Sequence, residues 1–190
     1  IQRVADIPRD LIHPLKTMDK STQRMLRLIN QLLEFRKMQN NKLALSLEET
    51  DVIAFLYEIF LSFGDVAEQK NMNFRFIPSI PSYKMFLDKG NLDKVTYNLL
   101  SNAFKYTPQG RQIKVIVQEK ENNAIIAIED QGIGIAENKQ QSLFIRFENL
   151  VDRNLFNQAS TGIGLSLVKE LIDMHHGKID IYSKLGEGSR

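Results

Sequence analysis

Asn98 and Asn102 stand four residues apart in the run Asn98-Leu99-Leu100-Ser101-Asn102-Ala103-Phe104-Lys105-Tyr106, and Lys105 follows the second of them by three. On a helix that spacing puts two amide side chains on one face, with the lysine one turn further along. Neutral amide oxygens suit a Mg²⁺ ion that takes its other ligands from water and phosphate. A polar helix surface explains the same residues with no ligand at all. A second cluster, Asp130-Gln131-Gly132-Ile133-Gly134-Ile135, comes directly after an apolar run. A carboxylate at the end of a buried strand can accept from an exocyclic amine, and glycines let a base approach the backbone closely. A plain turn accounts for the cluster equally well. The third, Ser160-Thr161-Gly162-Ile163-Gly164-Leu165, opens an apolar-periodic segment that runs to His175. Glycines at a helix start turn N–H groups toward an anion, and the helix dipole favours the negative charge. No lysine follows them as in a Walker loop, and no strand leads straight in as in a dinucleotide-binding turn. Alone, this segment is a glycine-rich helix cap.

The elements that must hold these clusters follow from periodicity. Ile7-Pro8 and His13-Pro14 punctuate a polar stretch read as a loop or a fraying helix end over residues 1 to 14. From Leu15 to about Lys42 an apolar stripe (Met18, Met25, Leu28, Leu32, Phe35) predicts one long amphipathic helix, narrow enough to need a partner helix. Residues 43 to 49 alternate and read as a short strand. Asp51 then caps an apolar helix carrying Ile53, Leu56, Ile59, Phe60 and Phe63. Strands are expected over 71 to 77 and 83 to 87, a helix over 92 to 105 ended by Pro108-Gln109-Gly110, and a hairpin of 113 to 118 with 124 to 129 around Glu121-Asn122-Asn123. A loop-like stretch from Gly132 to Thr161 precedes a helix over 164 to 175 that stops at Gly177, and Ile179, Ile181 and Ser183 begin a last strand. This order predicts helices layered on one face of a mixed sheet.

Composition narrows the classes. The chain has 190 residues, 43% apolar and 25% charged, which fits one domain with an appendage or two small units and argues against disorder. A net charge of +2 provides no overall basic field for nucleic acid, so no direct nucleic-acid binding is expected. With no cysteine, disulfides, thiol catalysis and cysteine-based metal sites are excluded. No apolar run approaches the roughly 18 residues of a membrane span, and no signal peptide is evident.

In this order, and with these elements between them, the three clusters resemble the ATP-binding catalytic domain of sensor histidine kinases, within the ATPase group that includes gyrase, the heat-shock chaperone of ninety kilodaltons and the mismatch-repair protein MutL. Asn98 to Tyr106 matches the N box, Asp130 to Gly134 the first glycine box, Leu143-Phe144-Ile145-Arg146-Phe147 the F box, and Thr161 to Leu165 the second glycine box. The match covers nearly all of residues 43 to 189. It implies an α+β, two-layer Bergerat-type fold, a mixed sheet with helices on one face, over residues 43–190. It also implies Mg-ATP as the ligand. Asn102 would be the chief Mg²⁺ ligand with Asn98 beside it, Lys105 would contact phosphate, Tyr106 would lie against the nucleoside, and Asp130 would accept the adenine N6 amine. Gly132 and Gly134 would give adenine room and hinge a lid over residues 136 to 161, anchored by Phe144 and Phe147. Arg146 would make a phosphate or inter-domain contact. Thr161, Gly162 and Gly164, with Leu165 beside them, would line the triphosphate. The hydrolysing relatives carry Glu at the first N-box position as base for water. Asn98 cannot serve as that base, which favours phosphoryl transfer to a positioned nucleophile.

Residues 23 to 35 resemble the second helix of the family's dimerisation domain, especially in the hybrid sensor-regulators of Bacteroides-type bacteria. Residues 1–42 would then be a partial dimerisation and phosphotransfer domain. The parent protein would pair as a homodimer through such helices and pass phosphate to the receiver domain of a response regulator. The segment itself would be the cytoplasmic part of an inner-membrane protein. His13, followed by Pro14, departs from the phosphoacceptor pattern, so the acceptor histidine is expected outside this chain. His175 and His176 read as helix-end caps. The unpartnered helix and the short last strand imply an excerpt of a longer chain. A nucleotide-binding scaffold with little transfer activity, suggested by Ser160 where a glycine is usual, and an ATP-hydrolysing relative are the alternatives.

Overall fold

The computed structural model describes residues 44–145 and 162–190, together with positions 14, 15, 18, 22, 25 and 29. The chain divides into two compact units, Ile1–Ala44 and Leu45–Arg190. In the first, Pro14, Leu15, Met18, Thr22, Met25 and Ile29 are helical, and the Thr22 hydroxyl donates to the Met18 carbonyl at 3.0 Å. The rest of the expected long helix lies outside the described residues.

The second unit runs β1 (Glu48–Asp51), α1 (Val52–Ser62), α2 (Gly64–Gln69), β2 (Asn73–Pro78), β3 (Lys84–Leu87), α3 (Lys89–Tyr106), β4 (Gln112–Lys120), β5 (Asn123–Asp130), α4 (Glu137–Gln140), α5 (Gly164–Met174), β6 (Ser183–Lys184) and β7 (Gly188–Ser189). Five strands form one mixed sheet in the order β2-β4-β5-β7-β6. β2 runs parallel to β4 and the other pairs are antiparallel. Strands β1 and β3 make a separate antiparallel pair. The β4–β5 hairpin turns on Glu121 and Asn122 at φ 52° and 65°, the two left-handed positions of a two-residue turn.

Alternation decides the core. Ile113, Val115 and Val117 of β4 are buried on one sheet face, against Val52, Leu56 and Ile59 of α1 and Leu100, Ala103 and Phe104 of α3. Phe60, Phe74 and Phe104 form a ladder with ring centroids 4.1 and 4.9 Å apart. These aromatics fix the C-terminal half of α3, whose outer face carries the asparagines.

Helix α3 starts three residues earlier than expected, the short helices α2 and α4 were not anticipated, and three further differences have a clear physical cause. Residues 44–47 do not extend β1, because β3 offers partners only for 48–51, and the Ser46 N–H donates to the Asp88 carboxylate instead. Helix α5 ends at Met174, and the left-handed residue beyond it is His176 (φ 55°) rather than Gly177. Gly177 matters through proximity, since a β-carbon there would stand 3.0 Å from Ile172. The expected last strand is a tight hairpin: β6 pairs with β7 across Gly186 (φ 84°), and Tyr182 and Arg190 exchange backbone bonds of 2.9 and 2.7 Å.

Candidate functional site

Helix α3 starts at Asp88, whose carboxylate accepts the Asn91 N–H at 2.9 Å. At 3.6 residues per turn, buried Thr96, Leu100, Ala103 and Phe104 share one side, so Asn98, Asn102 and Lys105 fall on the opposite one. The three outer side chains are half-buried. The Asn98 Nδ2 donates to the Lys94 carbonyl at 2.8 Å, which leaves its Oδ1 directed away from its own helix. Lys105 Nζ lies 5.0 Å from the centre of the Tyr106 ring, a cation–π contact that orders both. Lys70 Nζ donates to the Phe104 carbonyl at 2.5 Å and so offsets the negative end of this helix.

Asp130 ends β5, the strand between β4 and β7, and its backbone pairs with Ile113 and Ser189. Its carboxylate accepts the Gly132 N–H at 2.8 Å. Burial pushes the carboxyl above its ordinary range, against the Gly132 and Ser189 N–H groups that favour the charged form. Two residues on, a β-carbon at Gly132 would stand 2.5 Å from Asp130 Oδ1 and 2.7 Å from the Tyr106 carbonyl. The Ile133 N–H donates to that same carbonyl at 3.2 Å, tying the glycine segment to the end of α3. Gly134 (φ 65°) presses against the Lys184 carbonyl, where a β-carbon would overlap it.

Gly162 is left-handed at φ 68°, and Gly164 opens α5. A β-carbon on Gly164 would stand 2.9 Å from Asn98 Oδ1, so the start of α5 lies directly against the first asparagine. Asp51 caps α1 and Asp88 caps α3, but no described side chain caps α5. A helix N-terminus of this kind presents N–H groups and a positive dipole end that favour an anion. Leu165 is half-buried at this start, while Leu167, Val168 and Leu171 are buried. Thr161, Arg146 and Phe147 lie outside the described residues. Leu143 is buried and Phe144 half-buried.

The fold therefore brings Asn98 to Gly164 and Tyr106 to Gly132 and Asp130, joining segments that are distant in sequence. Two further polar residues were not foreseen. Gln140 donates to the Ile135 and Ser183 carbonyls at 2.9 and 2.8 Å, and the Ser183 hydroxyl accepts the Ile135 N–H at 2.8 Å. Together they staple the chain after Gly134 to the β6–β7 hairpin. His175 bridges the far ends of α5 and α3. Neither pairing has a local spacing signal. Among the described residues no group of three His, Cys, Asp or Glu could hold a metal, and no helix is long and apolar enough to cross a membrane.

Residues 87–190 match the family model described as "Histidine kinase-, DNA gyrase B-, and HSP90-like ATPase". The chain belongs to this ATPase family, whose nucleotide is ATP. Histidine kinase P4 of Formosa agariphila is 34% identical over 180 residues, which cover 92% of this chain and 13% of that protein. The chain spans 18% and 31% of two further curated relatives. Full-length ShkA, solved in complex with AMPPNP, has a TM-score of 0.82 at 20% identity and covers 97% of this chain and 38% of its own. ThkA, solved in complex with the response regulator protein TrrA, has a TM-score of 0.74 at 19% identity, over 97% of this chain and 50% of its own. At these identities both likenesses concern the fold, an α+β two-layer arrangement with a mixed sheet.

Proposed function

We propose that this chain binds Mg-ATP and acts as the catalytic part of a two-component sensor histidine kinase. The observation that carries the reading is the meeting of Asn98 with Gly164 at the start of α5, which sets an amide oxygen beside a helix N-terminus. Asp130 accepts the adenine N6 amine, and Gly132 keeps the base pocket clear of side chain. Tyr106 lies along the nucleoside. Lys105, Gly162, Gly164 and Leu165 surround the phosphates, with Thr161 and Arg146 completing that set. Mg²⁺ fits as an ion carried with the phosphates, because Asn102 and Asn98 are neutral oxygen donors and no metal-holding cluster of His, Cys, Asp or Glu occurs among the described residues. When bound it neutralises developing phosphate charge.

An acceptor-histidine nitrogen attacks the γ-phosphorus as the bond to the β–γ bridging oxygen breaks. ADP leaves with that electron pair, and the imidazole releases its proton to solvent. Positioning and charge stabilisation supply the catalysis. Asn98 provides no base for water, so transfer outpaces hydrolysis. Residues 1–42 contribute the second dimerisation helix of a homodimeric, inner-membrane parent, and an aspartate on a response regulator receives the phosphate from the histidine.

The test supplies γ-labelled ATP, Mg²⁺ and an acceptor-histidine helix in trans. Acid-labile phosphate on the acceptor, with slow ATP loss in its absence, is expected. Robust hydrolysis that vanishes in Asn98→Ala would show a water-directed ATPase instead.

A further inference from the structure

We propose that His175 is a positioning residue for the nucleotide site, acting through the α3–α5 helix pair; this rests on the reading of that site given above. The His175 Nε2 accepts the Asp88 N–H at 3.3 Å, and its Nδ1 donates to the Leu171 carbonyl at 2.7 Å. Both bonds together require a neutral ring with its proton on Nδ1. Asp88 is also the cap of α3, with its carboxylate held by the N–H groups of Asn91 and Ser46 at 2.9 and 3.0 Å.

The two helices run antiparallel, α5 lying along the first half of α3 from Asp88 to Asn98. Asn98 faces Gly164 at the nucleotide end, and Asp88 meets His175 at the other. The ten residues from Asp88 to Asn98 span about 15 Å, and the eleven from Gly164 to His175 about 16.5 Å, so the two junctions lie in register. Between the two junctions α5 buries Leu167, Val168 and Leu171 beside the polar Ser166, and α3 buries Val95 and Asn91. The driving force of apolar burial is non-directional, and interdigitated side chains constrain the offset by shape. A hydrogen bond is directional in itself. The bond at His175 therefore adds a directional constraint on where the first turn of α5 sits against Asn98.

The experiment measures Mg-AMPPNP affinity and nucleotide-free melting for the 190-residue chain, His175→Ala and His175→Gln, with ¹⁵N chemical shifts of the wild-type imidazole. His175→Ala should weaken binding roughly three- to tenfold, as expected for one lost hydrogen bond. His175→Gln keeps an acceptor for the Asp88 N–H and should stay within about twofold of wild type. The shifts should report protonated Nδ1 and bare Nε2. Unchanged affinity in His175→Ala, a lowered melting temperature with no affinity change, failure of the Gln variant to restore binding, or a protonated Nε2 would each overturn the proposal. If the alanine variant does not fold, the Gln variant and the wild-type shifts decide. Failure of the wild-type chain to bind the analogue is a separate outcome, which removes the nucleotide reading itself.

Discussion

In the proposed site Asp130 meets two opposed demands: the adenine contact assigned to it needs a half-buried carboxylate, and burial disfavours its charge. With its carboxyl raised, the folded state holds more protons than the unfolded one between the ordinary aspartate range and the raised value. Its contribution to stability therefore falls as pH rises through that window and remains unfavourable at neutral pH. Asp130→Asn should melt at or above the wild-type temperature at pH 7, with the difference shrinking toward pH 3 as the wild-type carboxyl protonates. The same variant should lose about tenfold or more in ATP affinity, the scale of a hydrogen bond to a charged group. Thermal melts across pH, paired with a binding isotherm, check both halves. At this scale, what could be read from sequence was what local spacing encodes: Asn98 with Asn102, or Asp130 with Gly132. The bond between His175 and Asp88 joins residues 87 positions apart, and no pattern in either neighbourhood announces it.

Among the elements, Gly134 joins two reasons for a glycine. The resemblance implies that Gly132 and Gly134 give adenine room and hinge a lid; independently of that, Gly134 combines a left-handed φ with direct pressure from the Lys184 carbonyl, and both require glycine. Gly110 has a similar φ of 79° with nothing within 4 Å. Gly110→Ala should cost about 1 kcal/mol from the backbone alone, and Gly134→Ala clearly more, as measured by denaturant midpoints. The Asp51 cap offers a second check. Its carboxyl is held below the ordinary range by the Ser82 hydroxyl first, against burial, and then by the Tyr83, Ala54 and Ile53 N–H groups. Its stabilisation is present above the ordinary aspartate range and lost as pH falls through the lowered value. Asp51→Ala should cost about 1 kcal/mol at pH 7. Helix α3 was legible because its apolar stripe is long and its breaker strong. The limits of β1 and the β6–β7 hairpin were not, because strand length depends on where a partner strand begins and ends.

For the whole molecule, the nucleotide site is built from segments of one unit, Leu45–Arg190, that the sheet and the α3–α5 pair bring together. Ligand bound only by the folded state must stabilise that unit. Mg-ATP at about 100 times its dissociation constant should add about 2.7 kcal/mol, seen as a rise in melting temperature. The family and the layered fold were accessible from motif order, since the boxes and the elements between them occur in a fixed sequence along the chain. Packing at Gly164 and Asn98 became visible only once α5 lay against α3. The most direct test of the central claim is calorimetric titration of this chain with ATP and with GTP, with and without Mg²⁺, beside Asn102→Ala. Saturable one-to-one binding that prefers ATP, strengthens with Mg²⁺, and loses that Mg²⁺ dependence in Asn102→Ala is predicted. No binding, or binding indifferent to base, to Mg²⁺ and to Asn102, would contradict it.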